Sequence, residues 1–253
     1  MDKIKQALQA QVTVIEENYR HYLNNPFEAS HAHALRVSLR TMRALLNFLK
    51  KSMDADVYES YNQQLRESAA LLGPLRELDV LLDWCAESAV KEDKLTKYYY
   101  ETFAYLHTLR RREMKKTLNK TSRKQFKQMI AILEAINTDQ LKLKDRKDWP
   151  RYTKRRLNTK MTQLQDQLHD LNHEDYEGVH TLRKKAKKVR YAASLFGPLT
   201  DKNFSKVIHQ AKDIQNELGA LTDSHVNQQL LIELAAHVDD KAVKSGLLAL
   251  SKL

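Results

Sequence analysis

Apolar side chains recur every three or four positions along nearly the whole chain. Between residues 33 and 49, for example, one side of a helix with 3.6 residues per turn carries Leu35, Leu39, Met42, Leu46 and Leu49. This periodicity predicts an all-α protein. The expected helices cover about residues 2–24, 28–52, 55–72, 75–91, 93–118, 121–137, 147–172, 176–196, 201–219 and 222–251.

Few residues interrupt the helical pattern, because the 253 residues include only 5 glycines and 4 prolines. Glycine accepts the left-handed conformation that ends many helices, and proline cannot continue one. Glu28 and Ser30 can begin the second helix. Helix ends are therefore expected at Asn25-Pro26, Gly73-Pro74, Gly197-Pro198 and Gly219.

The sequence also contains an internal repeat with an offset of about 147 residues. Two sequence stretches of the first part of the chain recur in the same order in the second part, which makes chance similarity a poor explanation. They predict one domain made of two related helical halves, residues 1–140 and 141–253, joined near Pro150. The matched stretches are HALRVSLRTMR at 33–43 with HTLRKKAKKVR at 180–190, and LGPLRELDV at 72–80 with LGALTD at 218–223.

Each of the two repeated helices places four basic side chains on one of its sides. On the first helix these are His33, Arg36, Arg40 and Arg43, and on the second they are His180, Arg183, Lys187 and Arg190. Since each residue advances by about 100°, the four lie within about 80° of arc and extend over about 15 Å. Each helix must bury its apolar stripe, so the basic stripe is expected beside the core, in the wall of a groove between helices.

A line of like charges of this kind favours a linear polyanion as the ligand. The charges repel one another, and a bound polyanion relieves that repulsion. Arginine offers a planar fork of donors to phosphate oxygens, and lysine offers a point charge. A neighbouring phosphate also favours the protonated histidine, which donates from both ring nitrogens. The alternative is that both stripes are simply solvated, but a spacing shared by two helices favours binding.

The formal net charge of +11 and the pI of about 9.5 agree with a polyanionic partner. Two further clusters of basic residues could extend a groove, although the residues of neither cluster all lie on one side of a helix. Arg111 and Arg155 are the candidate ligand contacts within them.

Asp79 and Asp223 each follow a Leu-Gly pair, at the expected start of a helix. A carboxylate there is stabilised by the helix dipole, which explains both residues without a function. The functional hypothesis is that they orient the basic side chains of the groove.

The single cysteine, Cys85, excludes a disulfide within the chain, which fits a reducing compartment. It lies in the apolar run VLLDWCA and is expected in the core. The first twenty residues lack the apolar segment of a signal peptide, and no stretch has the length of a membrane span. A soluble cytoplasmic protein is therefore expected.

Four ordered motifs resemble the CHAD family, whose name stands for conserved histidine α-helical domain. They lie at His33–Arg43, Leu72–Val80, His180–Tyr191 and Ile214–Asp223, and the resemblance spans about residues 28–230. Thr41 and Lys188 depart from it, since arginine usually stands at both positions. Thr41 is therefore expected to remove one phosphate contact.

The resemblance implies two pseudo-symmetric antiparallel helical bundles around a central basic pore. It also implies binding of inorganic polyphosphate and a location at polyphosphate granules. Arg76, Lys184 and Tyr191 lie in the matching motifs and join the expected contacts. The Glu-x-Glu-x-Lys signature of the triphosphate-tunnel domains fused to many relatives is absent, so a stand-alone binding domain without a cofactor is expected.

Three other functions compete with this interpretation. A nucleic-acid-binding protein fits the charge, but the basic stripes lack interleaved aromatic residues, and Tyr98–Tyr100 point in different directions along a helix. A metalloenzyme could use His169 and His173, which are four residues apart, but no third ligand or nucleophile motif is evident, so neither a metal site nor catalysis is expected. A membrane-surface protein is the weakest alternative, because the core consumes the amphipathic faces. The sequence leaves the oligomeric state open.

Overall fold

The computed structural model describes residues 2–91, 96–138, 141–144, 148–200 and 202–252, apart from the side chains of residues 2, 91, 96 and 220–224. These residues form ten α-helices and no strand, which confirms the predicted all-α class. The helices are α1 (Asp2–Asn24), α2 (Ala29–Leu49), α3 (Ala55–Leu71), α4 (Gly73–Lys91), α5 (Thr96–Thr117), α6 (Lys120–Asn137), α7 (Trp149–His169), α8 (Tyr176–Phe196), α9 (Ser205–Ala236) and α10 (Lys241–Leu250).

Polar side chains begin several of these helices by accepting hydrogen bonds from backbone N–H groups that the helix leaves unpaired. Glu28 accepts from the N–H of Ser30 at 3.2 Å at the start of α2. Asp54 does the same at the start of α3 and Asp240 at the start of α10. Three expected helix starts, near residues 93, 147 and 201, lie outside the described residues.

The expected helix end at Gly219 is wrong, because α9 continues through it to Ala236. Gly219 is buried, and a Cβ atom there would approach the Nη2 atom of Arg183 to 3.0 Å. The glycine therefore makes room for the Arg183 side chain instead of ending the helix. The helix start expected around Asp223 is wrong for the same reason, and the Asp223 side chain lies outside the described residues.

Three buried hydrophobic clusters hold the helices together. The largest joins α1, α2, α3, α6 and α7 with the end of α8. Within it the Phe48 ring is fully buried and lies 5.0 Å from the Phe196 ring and 6.3 Å from the Tyr152 ring, measured between centroids. A second cluster joins α4 and α5 with α9 and α10, and the third joins α7, α8 and α9.

The first two clusters combine side chains from both sides of residue 140. The predicted halves therefore share hydrophobic clusters, and both the single domain and the relation of its halves by symmetry stay predictions. None of the described helices has the length and apolar character needed to cross a membrane.

We expect Phe48→Ala to lower the free energy of unfolding by about 3–5 kcal/mol, because it removes a buried ring and leaves a cavity. Denaturant-induced unfolding measures the loss. Phe27→Ala is the matched control, since the Phe27 side chain is 63% exposed, and its effect should stay within about 0.5 kcal/mol. Equal losses in both variants would contradict the placement of Phe48 in the core.

Candidate anion-binding channel

Apolar packing brings the two repeated helices together. α2 and α8 contact each other directly, while α2 also packs on α1 and α3, and α8 on α7 and α9. Their apolar stripes are buried in these contacts, and the basic stripes are left facing a common space. The buried residues are Leu35, Leu39 and Met42 on α2 and Leu182, Ala186 and Val189 on α8.

A first cavity of about 550 Å³ lies between α2, α3 and α8. Eight of its lining residues are basic, and among the described residues no carboxylate lines it. The basic residues are Arg36, Arg40, Arg43, Arg66, His180, Lys184, Lys187 and Lys188.

A second cavity of about 340 Å³ opens towards α4 and α9. It includes Glu77 as a carboxylate, and an apolar side formed by Val80, Val226 and Leu230. The two cavities have five lining residues in common, so they adjoin each other, and we call them together the channel. The shared residues are Arg36, Arg40, His180, Lys184 and Lys187.

Most residues that the sequence suggested as ligand contacts line this channel. They are His33, Arg36, Arg40, Arg43, Arg76, His180, Arg183, Lys184, Lys187 and Tyr191. Arg190 lines none of the cavities described here, and its guanidinium carbon lies 5.0 Å from the centre of the Tyr191 ring. Arg111 is exposed on α5 away from the channel, and Arg155 lines a different cavity.

Several channel residues were not anticipated as contacts. Arg66 and Asn62 come from α3, which carries no repeated motif, and Arg43 donates from Nε to Oδ1 of Asn62 at 3.1 Å. Tyr58 and Tyr176 also line the channel, so aromatic rings are present where the stripes alone suggested none. Only the packing of α3 against α2 brings Arg66 and Tyr58 to this space, and no local sequence signal indicates it.

Thr41, which departs from the family pattern, lines neither cavity of the channel. The residue is buried, with 8% of its surface exposed, and lies on the core side of α2. Lys188, its counterpart in the repeat, does line the channel. Equivalent positions in the two repeats thus have different surroundings.

The positive surroundings lower the pKa of both channel histidines. For His33, which is exposed at the channel mouth, partial burial is the largest cause, followed by Arg76 and Arg36, with a further contribution from Lys187 on α8. For His180 the causes are burial, then cations of its own helix, then Arg40 on α2. Charges of each helix therefore act on the histidine of the other, and the neutral imidazoles are favoured.

Burial and positive neighbours also lower the pKa of three further cations that line the channel. Arg36 is affected by Arg40, Arg43 by Arg66, and Lys188 by Arg43. The Nε atom of Arg36 is buried and makes no hydrogen bond within the described part of the chain. The channel therefore concentrates cations at a cost in desolvation and mutual repulsion.

The ion-pair partner of Asp79 is a cation outside the channel lining. The Oδ1 atom of Asp79 accepts a hydrogen bond from the Nε of Arg110 at 2.6 Å, and the Asp79 carboxyl group is fully buried. Arg110, on α5, lines none of the cavities described here. Burial raises the pKa of Asp79, and the ion pair with Arg110 opposes that rise. The observed contact is thus a buried ion pair between α4 and α5.

No group of three or more histidine, cysteine, aspartate or glutamate side chains is placed to hold a metal ion among the described residues. α7 ends at His169, so His173 does not continue the same helix face. Cys85 is buried, and burial raises the pKa of its thiol to about 12. A thiol of this kind is a poor nucleophile near neutral pH.

The family model of the CHAD domain matches residues 6–232 of the chain. Two solved structures have similar folds. The crystal structure of the CHAD domain from the plant Ricinus communis has a TM-score of 0.75 at 18% identity, over 98% of this chain and 85% of that chain. PptA from Streptomyces chartreusis has a TM-score of 0.76 at 16% identity, over 99% and 92%. At these identities the likeness concerns the fold alone. The search of curated proteins found no match.

We expect Asp79→Asn to lower the free energy of unfolding by about 3–5 kcal/mol, because Arg110 is left as a buried charge without its counterion. Denaturant unfolding near neutral pH measures this loss. The double variant Asp79→Leu/Arg110→Met should recover most of it, since no lone charge stays buried. A double variant as unstable as Asp79→Asn would show that the pair is not the cause.

Proposed function

The chain belongs to the CHAD domain family, and on that premise we propose that its channel binds inorganic polyphosphate without cleaving it. The observation that supports this most is the shared lining of the two cavities. Because five basic residues line both adjoining cavities, the cations of α2 and α8 extend from the first cavity into the second. A linear chain with one negative charge or more on each phosphate matches such an arrangement.

The chemistry of the channel suits phosphate in particular. Arg36, Arg40 and Arg43 can each offer two parallel N–H donors to phosphate oxygens. An acceptor close to Arg36 would also satisfy a buried donor whose desolvation is otherwise uncompensated. Since the carboxylate Glu77 lines only the second cavity, little competes with an anion for these donors.

The dimensions of the channel separate polyphosphate from double-stranded nucleic acid. A B-form DNA duplex is thicker than its own major groove, which is about 12 Å wide. Such a duplex is too thick to enter cavities of only about 550 and 340 Å³. Single strands are the closer competitors, because Tyr58, Tyr176 and Tyr191 could stack on bases. Competition between long-chain polyphosphate and single-stranded DNA distinguishes the two, and we expect polyphosphate to displace DNA at far lower phosphate concentration than the reverse.

Binding without cleavage is part of the proposal. Hydrolysis of a phosphoanhydride needs an activated nucleophile, usually with a metal ion. Among the described residues, no serine, threonine, cysteine or aspartate lines the channel to supply an attacking oxygen or sulfur, and the proposal gives its histidines a binding role. Release of phosphate from long-chain polyphosphate should therefore stay at background with and without Mg²⁺.

We further propose a cytoplasmic location at polyphosphate granules, on the basis of the family resemblance. A fluorescent fusion of the chain should co-localise with stained granules, and a diffuse signal in granule-containing cells would oppose this.

We expect Arg36→Ala and Arg183→Ala each to weaken binding of long-chain polyphosphate by about 1.5–3 kcal/mol, the value of a charge-assisted contact. Isothermal titration calorimetry with long-chain polyphosphate measures the change. Titrations with pyrophosphate, ATP and DNA are run for comparison. Arg111→Ala is the matched control, because Arg111 is exposed outside the channel, and it should leave the affinity nearly unchanged. Equal losses in the three variants would show that net charge alone decides binding.

The lowered pKa values of His33 and His180 predict that binding takes up protons. A bound polyanion raises both values towards or above the ordinary 6.5. Affinity should therefore rise as the pH falls from about 7 to the pKa of the free protein, and level off below it. Calorimetry in buffers of different ionisation enthalpy counts the protons. In His33→Gln/His180→Gln the uptake should disappear, whereas in His107→Gln, on the exposed surface of α5, it should persist.

A further inference from the structure

Two further basic cavities continue from the channel towards α7. The third cavity, of about 190 Å³, shares Asn47 and Lys188 with the channel. The fourth, of about 280 Å³, shares Lys160 and Gln163 with the third. We call the third and fourth cavities together the α7 arm. Its basic lining residues are Lys51, Arg155, Arg156, Lys160, Lys185 and Lys188.

The positive charge of the α7 arm is not compensated by acidic neighbours. Among the described residues, no aspartate or glutamate lines either of its cavities. A larger cavity of about 680 Å³ between α3, α5 and α6 is different, because Glu67 and Glu113 lie in its lining together with lysines. There the Nζ of Lys116 lies 2.7 Å from Glu113. Of the five cavities described here, the first cavity of the channel and the two cavities of the α7 arm are lined by cations without a carboxylate among the described residues.

The arm is electrostatically continuous with the channel. Burial lowers the pKa of Lys160, and the next causes are Arg156 in the arm and Lys188, which lines both the arm and the channel. A cation of the channel lining thus acts on an ammonium group of the arm, as it would on an anion bound there.

Ring contacts and a hydrogen bond hold Arg156 in place in the arm. The guanidinium carbon of Arg156 lies 5.3 Å from the centre of the Phe48 ring and 5.9 Å from that of the Tyr152 ring. Its Nη2 donates to the carbonyl oxygen of Asn47 at 3.3 Å, and its Nε is buried without a hydrogen bond in the described structure. Arg156 is therefore part of the structure as well as of the lining, whereas Lys51 and Arg155 are exposed.

We propose that a long polyphosphate chain leaves the channel beside Lys188 and continues along α7, over Lys160, to Lys51 and Arg155. This extension rests on the proposed function of the channel. The lining residues of α7 run from Tyr152 to Gln167, which corresponds to about 22 Å along the helix at 1.5 Å per residue. A chain short enough for the channel alone does not reach this arm, so the arm makes the protein selective for long polyphosphate.

The test compares three proteins on two ligands, tripolyphosphate and long-chain polyphosphate. The arm variant is Lys51→Gln/Arg155→Gln/Lys160→Gln. The control variant, Lys120→Gln/Arg123→Gln/Lys127→Gln, loses the same charge from exposed residues of α6 that line none of the cavities described here. Comparing proteins on the same ligand matters, because long chains offer more binding registers to any site.

For tripolyphosphate we expect the three proteins to have the same affinity within about twofold. For long-chain polyphosphate the arm variant should bind roughly tenfold more weakly. Its slope of log affinity against log salt should fall by about 2, since three phosphates are no longer neutralised at about 0.7 each. The control variant should match the wild type at about 0.15 M salt, because its exposed charges lie on α6, outside the arm and the channel, and salt screens distant exposed charges.

Three results overturn or separate the two proposals. Unchanged binding of long chains by the arm variant would overturn the path along α7. Equal weakening in the arm and control variants would also overturn it, because net charge would then explain the effect. If the wild type binds neither ligand, the proposed function of the channel fails, and the arm with it.

Discussion

The contact between α2 and α8 is the constraint on which the rest of the site depends. Either helix alone would hold its arginines and lysines in water, well apart from those of the other. The apolar stripe of α2 is buried in the largest cluster, which the end of α8 joins, and the rest of the α8 stripe is buried against α7 and α9, so the cations of both helices meet in one narrow space. The hydrophobic core thus supplies the free energy that holds like charges together, and the lowered pKa values of His33, His180 and Arg36 record the opposing electrostatic cost.

The helices and the two basic stripes were predictable because both follow from local geometry. A period of 3.6 residues decides which side of α2 is buried, and the same period aligns His33 with Arg36 and Arg40. The repeat then indicated that α8 is built in the same way. Both basic stripes then face one channel, provided that the apolar side of each helix is buried in a core.

The rest depends on contacts between distant parts of the chain, which periodicity does not contain. Gly219 resembles a helix end when only its neighbours in sequence are considered, and its actual role becomes visible only with Arg183 beside it. Asp79 resembles a helix-start carboxylate, yet it pairs with Arg110, 31 residues further along the chain. Arg66 and Tyr58 belong to the channel only because α3 packs on α2.

The close approach of Gly219 to the guanidinium of Arg183 has an evolutionary consequence. A Cβ atom at position 219 would lie closer to this guanidinium than most side-chain contacts allow, so the arginine would have to shift by a few tenths of an ångström. Replacement of the glycine therefore favours a shifted or shorter side chain at position 183, and loss of the arginine releases the glycine from this contact. Among homologous sequences, these two positions on neighbouring helices should therefore vary together, even though neither would reveal the other by its own chemistry.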